Sequence, residues 1–272
     1  MPDAFSLNYI GPMSDRPRYH ADDGSRDVLT LDPRTVAVEN GRLRVQPHSL
    51  DQEGFTLVPH QSAVADFRDP HALATVYRLE MQQLILGLTG ADEVVFSALP
   101  VCRSTRGARL TVARQFYGSR PGEFVHVDIS AATAVSLAKR CEPKHRNEPL
   151  RRFAHYNMWR AFSPPPQDVP LAVCDSRSVS PSDLVEADAV MDIPGKREFS
   201  YVGLVIRYNP RHRWSWFAHM NRDEILIFKA YDSDSRQPNQ VPHTAFQDPT
   251  CPPGQTPRAS IEMRAIAYWY ER

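Results

Sequence analysis

Hydrophobic residues recur at helical spacing in one part of the chain, between Asp69 and Gly90. Asp69 is a favourable N-cap, and Pro70 suits the first helical position, where its missing amide costs no hydrogen bond. The pattern predicts one long helix whose broad apolar stripe packs against a sheet. The stripe consists of Leu73, Val76, Tyr77, Leu79, Leu84, Leu86 and Leu88.

After residue 93 the pattern changes to short apolar or alternating runs. Proline lacks a backbone donor, so the proline-rich segments 164–166 and 248–257 are predicted to be loops between strands. A short helix is predicted over 131–140. About eight strands after a single long helix favour a mainly β fold, a double-stranded β-helix (jelly roll, cupin-like). The predicted strands are 93–99, 126–130, 152–160, 170–175, 199–208, 214–220, 224–231 and 259–270.

The part of the chain before the long helix is expected to contribute N-terminal strands. Asn40 and Gly41 separate two alternating runs and predict a hairpin over 32–45, because both residues tolerate positive φ. A further strand is predicted over 54–59, whereas residues 1–27 are predicted to be irregular. Barrels and sandwiches of this size form single domains, so we expect one domain over residues 1–272.

Composition excludes several classes of function. The 32 basic and 32 acidic residues balance, which argues against a nucleic-acid-binding protein and a polybasic membrane patch. The 4 cysteines are too widely spaced for a zinc ribbon or a dense disulfide framework. Neither a signal peptide nor a membrane-spanning apolar run is present in the pattern. We therefore expect a cytoplasmic protein with a small-molecule ligand, either a monomer or a homodimer.

His126 and Asp128 lie two residues apart in the β-like run 123–130. Residues at this spacing point to the same face of a strand, so the imidazole nitrogen and the carboxylate oxygen can converge. Such a pair and one distant histidine form the 2-His-1-carboxylate site of non-haem Fe(II) oxygenases, which leaves coordination positions open. Taken alone, the pair also fits an ordinary surface histidine and aspartate at a strand end.

The distant histidine is predicted to be His243, which follows a turn late in the chain. The intervening strands can return it to the same mouth of the barrel. His212 and His219 are the alternatives, but they flank Trp214 and Trp216 and fit equally well as packing partners of these aromatic rings.

Arg258, Ser260 and Arg264 share one face of the last predicted strand. A guanidinium and a hydroxyl two residues apart can hold a carboxylate through a bidentate pair and one further hydrogen bond. 2-Oxoglutarate carries such a carboxylate at the end remote from the metal. Arg258 with Ser260 is one predicted anchor, and Arg264 is its rival. A surface strand with an arginine–glutamate ladder is the structural alternative.

Several motifs occur in a fixed order along the chain. They are His126-Val-Asp128, Tyr156-Asn157-Met-Trp159-Arg160, Pro170-Leu-Ala-Val-Cys-Asp175, His212-Arg-Trp214, the segment 223–233, Pro242-His243-Thr-Ala-Phe246 and Arg258-Ala-Ser260-Ile-Glu262-Met-Arg264. In this order the chain resembles the AsaB/CmcJ-type hydroxylase–desaturase family, which includes natural-product enzymes described as cephalosporin methoxylase-like or gibberellin desaturase-like.

The resemblance implies a jelly-roll oxygenase that uses Fe(II), 2-oxoglutarate and O2. It implies that His126, Asp128 and His243 bind the metal, and that Arg258 and Ser260 bind the co-substrate. The implied substrate is a natural product or an amino-acid-derived small molecule. Hydroxylation, desaturation and oxidative cyclisation are all compatible with the family.

Four further residues are candidates for contact with the substrate or for support of the metal ligands. They are Asn157, Trp159, Arg160 and Trp216. Tryptophans at such positions are more often part of a core, and Arg160 fits equally well as a buried partner of Asp175 or Glu224. The arginine-rich segment 103–114 is predicted to be a solvated loop, or else a lid over an acidic substrate.

Two other functions are compatible with the sequence. One is a non-catalytic jelly-roll protein that holds an apolar ligand in its aromatic-rich barrel. The other is a metalloenzyme that uses the same histidines and aspartate without 2-oxoglutarate.

Overall fold

The computed structural model describes residues 3–105, 118–193, 195 and 197–271. Within these ranges the chain forms two sheets and three α-helices. The strands are β1 (Asp3–Ile10), β2 (Arg18–His20), β3 (Leu31–Asn40), β4 (Phe55–Pro59), β5 (Glu93–Phe96), β6 (Val101–Ser104), β7 (Gly118–Ser119), β8 (His126–Val127), β9 (Leu150–Ala161), β10 (Leu171–Cys174), β11 (Leu184–Met191), β12 (Phe199–Ile206), β13 (Trp214–Trp216), β14 (Glu224–Asp232), β15 (His243–Ala245) and β16 (Ala259–Tyr270). The α-helices are α1 (Pro70–Ala72), α2 (Arg78–Thr89) and α3 (Ala131–Cys141), and 3-10 turns lie at Gly24–Arg26, Gly41–Leu43, Ser176–Ser178 and Pro181–Asp183.

The predicted mainly β fold is confirmed. In the described chain, the first sheet has the strand order β1-β3-β13-β10-β15-β8-β12-β11-β2. The second has the order β4-β14-β9-β16-β6-β7, and β5 also pairs with β16. Side chains from both sheets share one core, in which Trp159 of β9 and Phe228 of β14 meet Leu171 and Val173 of β10. This packing brings the inner faces of the two sheets together.

The predicted long helix is also confirmed. A π-helical turn over Leu73–Tyr77 joins α1 to α2, so the helical segment is continuous. Its buried residues follow each other at intervals of four, namely Leu73, Tyr77, Met81 and Ile85. Leu79 is 57% exposed, so the stripe that packs on the second sheet is narrower than the sequence pattern indicated.

Two predictions for the N-terminal part are wrong. Residues 3–10 form β1, which pairs with β3 along its whole length, because Phe5, Leu7 and Tyr9 alternate into a buried cluster. The hairpin over 32–45 does not form. The Asn40 side chain instead accepts a hydrogen bond from the amide of Arg42 and caps a 3-10 turn. β3 therefore pairs with β1 and β13.

The order of the strands in the two sheets determines where the predicted site residues lie. β8 lies between β12 and β15, and β16 lies between β9 and β6. β16 and β9 pair over almost their whole length, which fixes the register of every polar side chain on the two strands. Within the described residues, the helices lack the length and apolar character that crossing a membrane requires.

Candidate active site

His126, Asp128 and His243, the predicted metal ligands, converge at one point. One potential ligand atom from each lies within 4.8 Å of the other two. His126 and His243 are direct partners in the pairing of β8 with β15, and their ring centroids are 4.3 Å apart. The Nε2 atom of His243 lies 3.7 Å from Oδ2 of Asp128. Strands β8 and β15 of the first sheet thus supply the two histidines, and Asp128 directly follows β8.

Backbone carbonyls orient both imidazoles. Nδ1 of His126 donates to the carbonyl of Phe124 at 2.7 Å, and Nδ1 of His243 donates to the carbonyl of Val241 at 3.3 Å. A carbonyl only accepts, so each Nδ1 carries the proton and each Nε2 keeps a free lone pair. This is the orientation in which an outer hydrogen bond prepares a histidine to bind a metal.

The charges at the cluster suit a divalent cation. Burial, together with the nearby His243, lowers the pKa of His126 to about 4. Burial also lowers the pKa of His243. Burial acts to raise the pKa of the Asp128 carboxyl, but Arg264 and the two histidines outweigh it and hold that pKa well below its usual range. Near neutral pH the cluster therefore consists of two neutral imidazoles and one carboxylate, the protonation states that metal binding requires.

Both oxygens of Asp128 receive hydrogen bonds from the second sheet. Nη2 of Arg264 donates to Oδ1 at 2.6 Å, and the side-chain amide of Asn157 donates to Oδ2. Arg264 and Asn157 face each other across β16 and β9, so their side chains leave the same face of the sheet together. Asn157, a candidate from the sequence, therefore supports a predicted metal ligand.

Arg264 is also paired with Glu262, and Glu262 with Arg103. Nε of Arg264 donates to Oε1 of Glu262 at 2.7 Å, and Nη1 of Arg103 donates to Oε2 of the same carboxylate at 3.0 Å. A chain of ion pairs thus runs from Asp128 through Arg264 and Glu262 to Arg103. Arg264, the rival co-substrate anchor, already has two carboxylate partners.

Arg258 has a different environment. Its side chain is 1% exposed, and its Nη1 donates to the carbonyl of Val169 at 2.8 Å, but its Nε has no partner. Its guanidinium lies over the ring of Trp159, at 5.5 Å from the centroid. Burial, together with the positive charge of Arg103, lowers the pKa of Arg258 to about 9. A buried cation with so little compensation favours an anionic ligand.

These side chains line one cavity of about 360 Å³. Its wall contains His126, Asp128, His243 and Arg258, together with apolar residues such as Trp159. Large apolar side chains at its margin are exposed, with Leu99 at 51% and Phe199 at 57%. A volume of this size and a mostly apolar wall with a few convergent polar groups are typical of a small-molecule site.

The structure does not bring every candidate to this cavity. Ser260 is buried on β16, directly opposite Arg103, and is not part of the cavity wall in the described chain. Trp216 packs against Phe5 of β1 and Phe246 in a buried apolar cluster, and it is not part of the cavity wall in the described chain. The expected contact of Trp216 with a substrate is therefore not supported by its position.

Arg160 is buried away from the cavity. It donates to the carbonyls of His60 and Arg222, and its guanidinium lies over the ring of Phe67. The proposed partners Asp175 and Glu224 bind other arginines instead. Arg160 therefore connects the loop that contains His60 to the loop that contains Arg222.

The rival histidines also lie elsewhere. His212 bonds to the Asp183 carboxylate and to the Tyr9 hydroxyl, and His219 occupies a loop position with a φ of 54°. Neither belongs to the metal-ligand cluster found in the described residues.

Sequence reasoning missed two residues of the site, Arg103 and Glu262. Glu262 was visible on the even-numbered face of the last strand, with Arg258 and Arg264. Arg103 was assigned to the arginine-rich segment, and only the pairing of β6 with β16 places it beside Glu262. The other arginines of that segment, Arg106, Arg109 and Arg114, lie outside the described residues, so the solvated loop or lid predicted for the segment is untested.

Comparison with known proteins agrees with the geometry. Residues 7–268 match the family model described as an oxidoreductase/YMDC permease-like domain. The hydroxylase/desaturase asaB of Aspergillus flavus is 30% identical over 204 residues, which covers 70% of this chain and 89% of that protein. The hydroxylase/desaturase CTB9 of Cercospora beticola is 29% identical over 88% of this chain and 78% of its own length.

Solved structures show the shared fold. The iron and alpha-ketoglutarate-dependent endoperoxidase NvfI superposes with a TM-score of 0.81 at 22% identity, covering 99% of this chain and 98% of NvfI. This match confirms the predicted jelly-roll fold. The match to the family model and the identity to asaB confirm the predicted family. The chain belongs to the AsaB-type hydroxylase–desaturase family.

Proposed function

We propose that this chain is a non-haem Fe(II)/2-oxoglutarate-dependent oxygenase, in which His126, Asp128 and His243 bind the iron and Arg258 binds the remote carboxylate of 2-oxoglutarate. One observation carries the proposal. A cluster of three potential ligands and a buried guanidinium, which has no carboxylate partner among the described residues, line the same cavity. A relative that is 27% identical is an Fe(II)/2-oxoglutarate-dependent dioxygenase, which supports the same cofactors here.

The donor set fits Fe(II). Two imidazoles and one carboxylate, with positions left open toward a cavity, are the ligands of this class of iron site. The Nε2 atoms of His126 and His243 are free, and Asp128 is ionised, so no proton has to leave before the metal binds.

The net charge of the cavity fits a dicarboxylate. The cavity wall contains four guanidinium groups and two carboxylates. Arg120 is paired with Asp27, which lies outside the wall. The other three guanidinium groups, from Arg103, Arg258 and Arg264, face the carboxylates of Asp128 and Glu262, which leaves one net positive charge. A divalent metal ion increases the net positive charge of the cavity, and a dianionic co-substrate lowers it again. 2-Oxoglutarate, which carries two carboxylates and a keto group, meets this electrostatic requirement.

Arg258 is the better anchor of the two predicted arginines. The guanidinium of Arg264 is engaged by Asp128 and Glu262, so a co-substrate carboxylate would have to displace one of them. Arg258 donates one hydrogen bond to a carbonyl and retains a free Nε. A carboxylate that binds Arg258 therefore gains an ion pair without breaking one.

When bound, Fe(II) and 2-oxoglutarate supply an O2-derived oxidant that removes a hydrogen atom from a substrate C–H bond. The side chains of the chain position the reactants. Trp159 holds the Arg258 guanidinium from one side, and the apolar wall excludes water from the reaction. The substrate is a small natural product or an amino-acid-derived molecule, and hydroxylation, desaturation and oxidative cyclisation are the reaction types that this site supports.

Anaerobic binding experiments test the proposal without a known substrate. We expect Fe(II) to raise the melting temperature of the protein, and 2-oxoglutarate to raise it further only when the metal is present. Succinate should form when O2 is admitted. Arg258→Gln should lose the effect of 2-oxoglutarate, whereas the exposed control Arg236→Gln should keep it.

Two other outcomes would support the alternatives. Metal binding without any response to 2-oxoglutarate would identify a metalloenzyme that does not use this co-substrate. No response to either addition would favour a non-catalytic binding protein.

A further inference from the structure

Asp128 is held in one orientation by the second sheet. Its Oδ2 atom lies toward His243, at 3.7 Å from Nε2, while its Oδ1 atom accepts a hydrogen bond of 2.6 Å from Arg264. The Asn157 amide binds Oδ2 from the neighbouring strand. The two oxygens therefore have different partners before any metal is present.

The orientation of Arg264 is itself fixed. Glu262 accepts from its Nε at 2.7 Å, and Arg103 holds the second oxygen of Glu262 at 3.0 Å. The planar guanidinium binds one acid through Nε and the other through Nη2, so the rigid plane of the group sets the direction of the hydrogen bond to Asp128. A lysine has a single flexible ammonium and cannot provide this geometry.

The number of oxygens that Asp128 gives to a metal decides how many positions remain open. A carboxylate that binds through both oxygens occupies one position more than a carboxylate that binds through one. Chelation by a 2-oxo acid needs two positions, and O2 needs another. A site of this type works only if the carboxylate uses a single oxygen.

We propose that Arg264 is a positioning residue that retains Oδ1 of Asp128, so that Asp128 offers the metal one oxygen and leaves the remaining positions to the co-substrate and O2. Asn157 supports this arrangement from the opposite strand. The inference rests on the proposed function above, because it concerns the same metal site. It assigns Arg264 to Asp128 and leaves the co-substrate carboxylate to Arg258.

The test compares Glu262→Gln with the double variant Glu262→Gln/Arg264→Gln. Both lack the Glu262 charge, and they differ at residue 264, which in the double variant neither holds Oδ1 nor carries a positive charge. The double variant also retains the net charge of the wild-type cavity, since it loses one acid and one base. Co(II) is the probe, because its visible absorption weakens when its coordination number rises.

We expect both variants to bind Co(II). The double variant should show weaker visible absorption than Glu262→Gln, and its Kd for 2-oxoglutarate should be about 10- to 100-fold higher, in line with the effect of losing an outer partner of a metal ligand. Glu262→Gln is the reference for both measurements, because its side-chain amide oxygen can still accept the hydrogen bond from Nε of Arg264. In turnover, the loss should appear in the KM for 2-oxoglutarate.

Arg264→Lys is the second variant, for the case in which the double variant does not fold. It keeps the positive charge and loses the rigid two-acid geometry, so its Co(II) spectrum should move in the same direction. Identical spectra and identical 2-oxoglutarate affinities with and without Arg264 would overturn the inference. A wild-type protein that binds Co(II) but does not respond to 2-oxoglutarate would instead overturn the proposed function.

Discussion

His126 and His243 face each other across β8 and β15, and their ring centroids lie 4.3 Å apart. The pairing of two short strands thus brings together histidines that are far apart in the sequence. Each ring is oriented by a backbone carbonyl, so the Nε2 atoms need no rearrangement to receive a metal.

Replacing either histidine should abolish iron binding. We expect His126→Ala and His243→Ala to lower iron affinity by more than about 100-fold, because the loss of an outer partner alone costs about 10- to 100-fold. Succinate formation should be lost as well. The exposed His71 provides the control as His71→Ala. Stoichiometric iron together with succinate production in either site variant would refute the ligand assignment.

Gly122 should be required for the position of His126. A Cβ atom at residue 122 would lie 2.9 Å from Cε1 of His126, closer than real contacts allow. We expect Gly122→Ala to shift the imidazole and to weaken iron binding about 10-fold or more. Gly87→Ala is the matched control, since no atom lies within 4 Å of the added methyl group and alanine favours the α2 helix. Equal iron affinity in the two variants would show that the imidazole tolerates the contact.

Arg258 and Arg264 should differ in their effects on stability, although both lie on or beside β16. Arg264→Met leaves two buried carboxylates without their shared partner and should lower the free energy of unfolding by about 2–5 kcal/mol. Arg258→Met removes a poorly compensated buried cation, so it should lower the free energy of unfolding far less than Arg264→Met does. It should also eliminate the stabilisation of the protein by 2-oxoglutarate. Urea unfolding with and without the metal and co-substrate measures both effects. The reverse order of stabilities would contradict the assignment of the anchor.

His155 should make the stability of the protein sensitive to acid. Burial lowers the pKa of His155 from 6.5 to about 4, while its Nε2 donates to the carbonyl of Ala134. Between these values the unfolded chain binds more protons at residue 155 than the folded protein does, so the contribution of His155 to the free energy of unfolding is complete above pH 6.5 and is lost as the pH falls toward 4. His155→Gln retains a donor and should reduce the slope of unfolding free energy against pH by up to about 1.4 kcal/mol per pH unit. An unchanged slope would mean that other groups carry the acid sensitivity.

The local parts of the fold were readable from the sequence. The helical spacing from Leu73 onward and the alternation in the last strand depend on neighbours a few residues apart, and both are present in the structure. The hairpin predicted at Asn40 and Gly41 is wrong because the same two residues suit both a hairpin turn and the start of a 3-10 turn. The long-range pairing of β3 with β1 and β13 favours the 3-10 turn over the hairpin.

The sequence by itself determined that His126 and Asp128 point the same way and that Arg258, Glu262 and Arg264 share a face, because the two-residue period of a strand is local. Only the tertiary structure decided which distant groups meet them. The register of β15 against β8 selected His243, and the register of β9 against β16 placed Asn157 beside Arg264, from where both reach Asp128. The pairing of β6 with β16 placed Arg103 beside Glu262. These registers are fixed by the packing of two whole sheets, so no short stretch of sequence contains them.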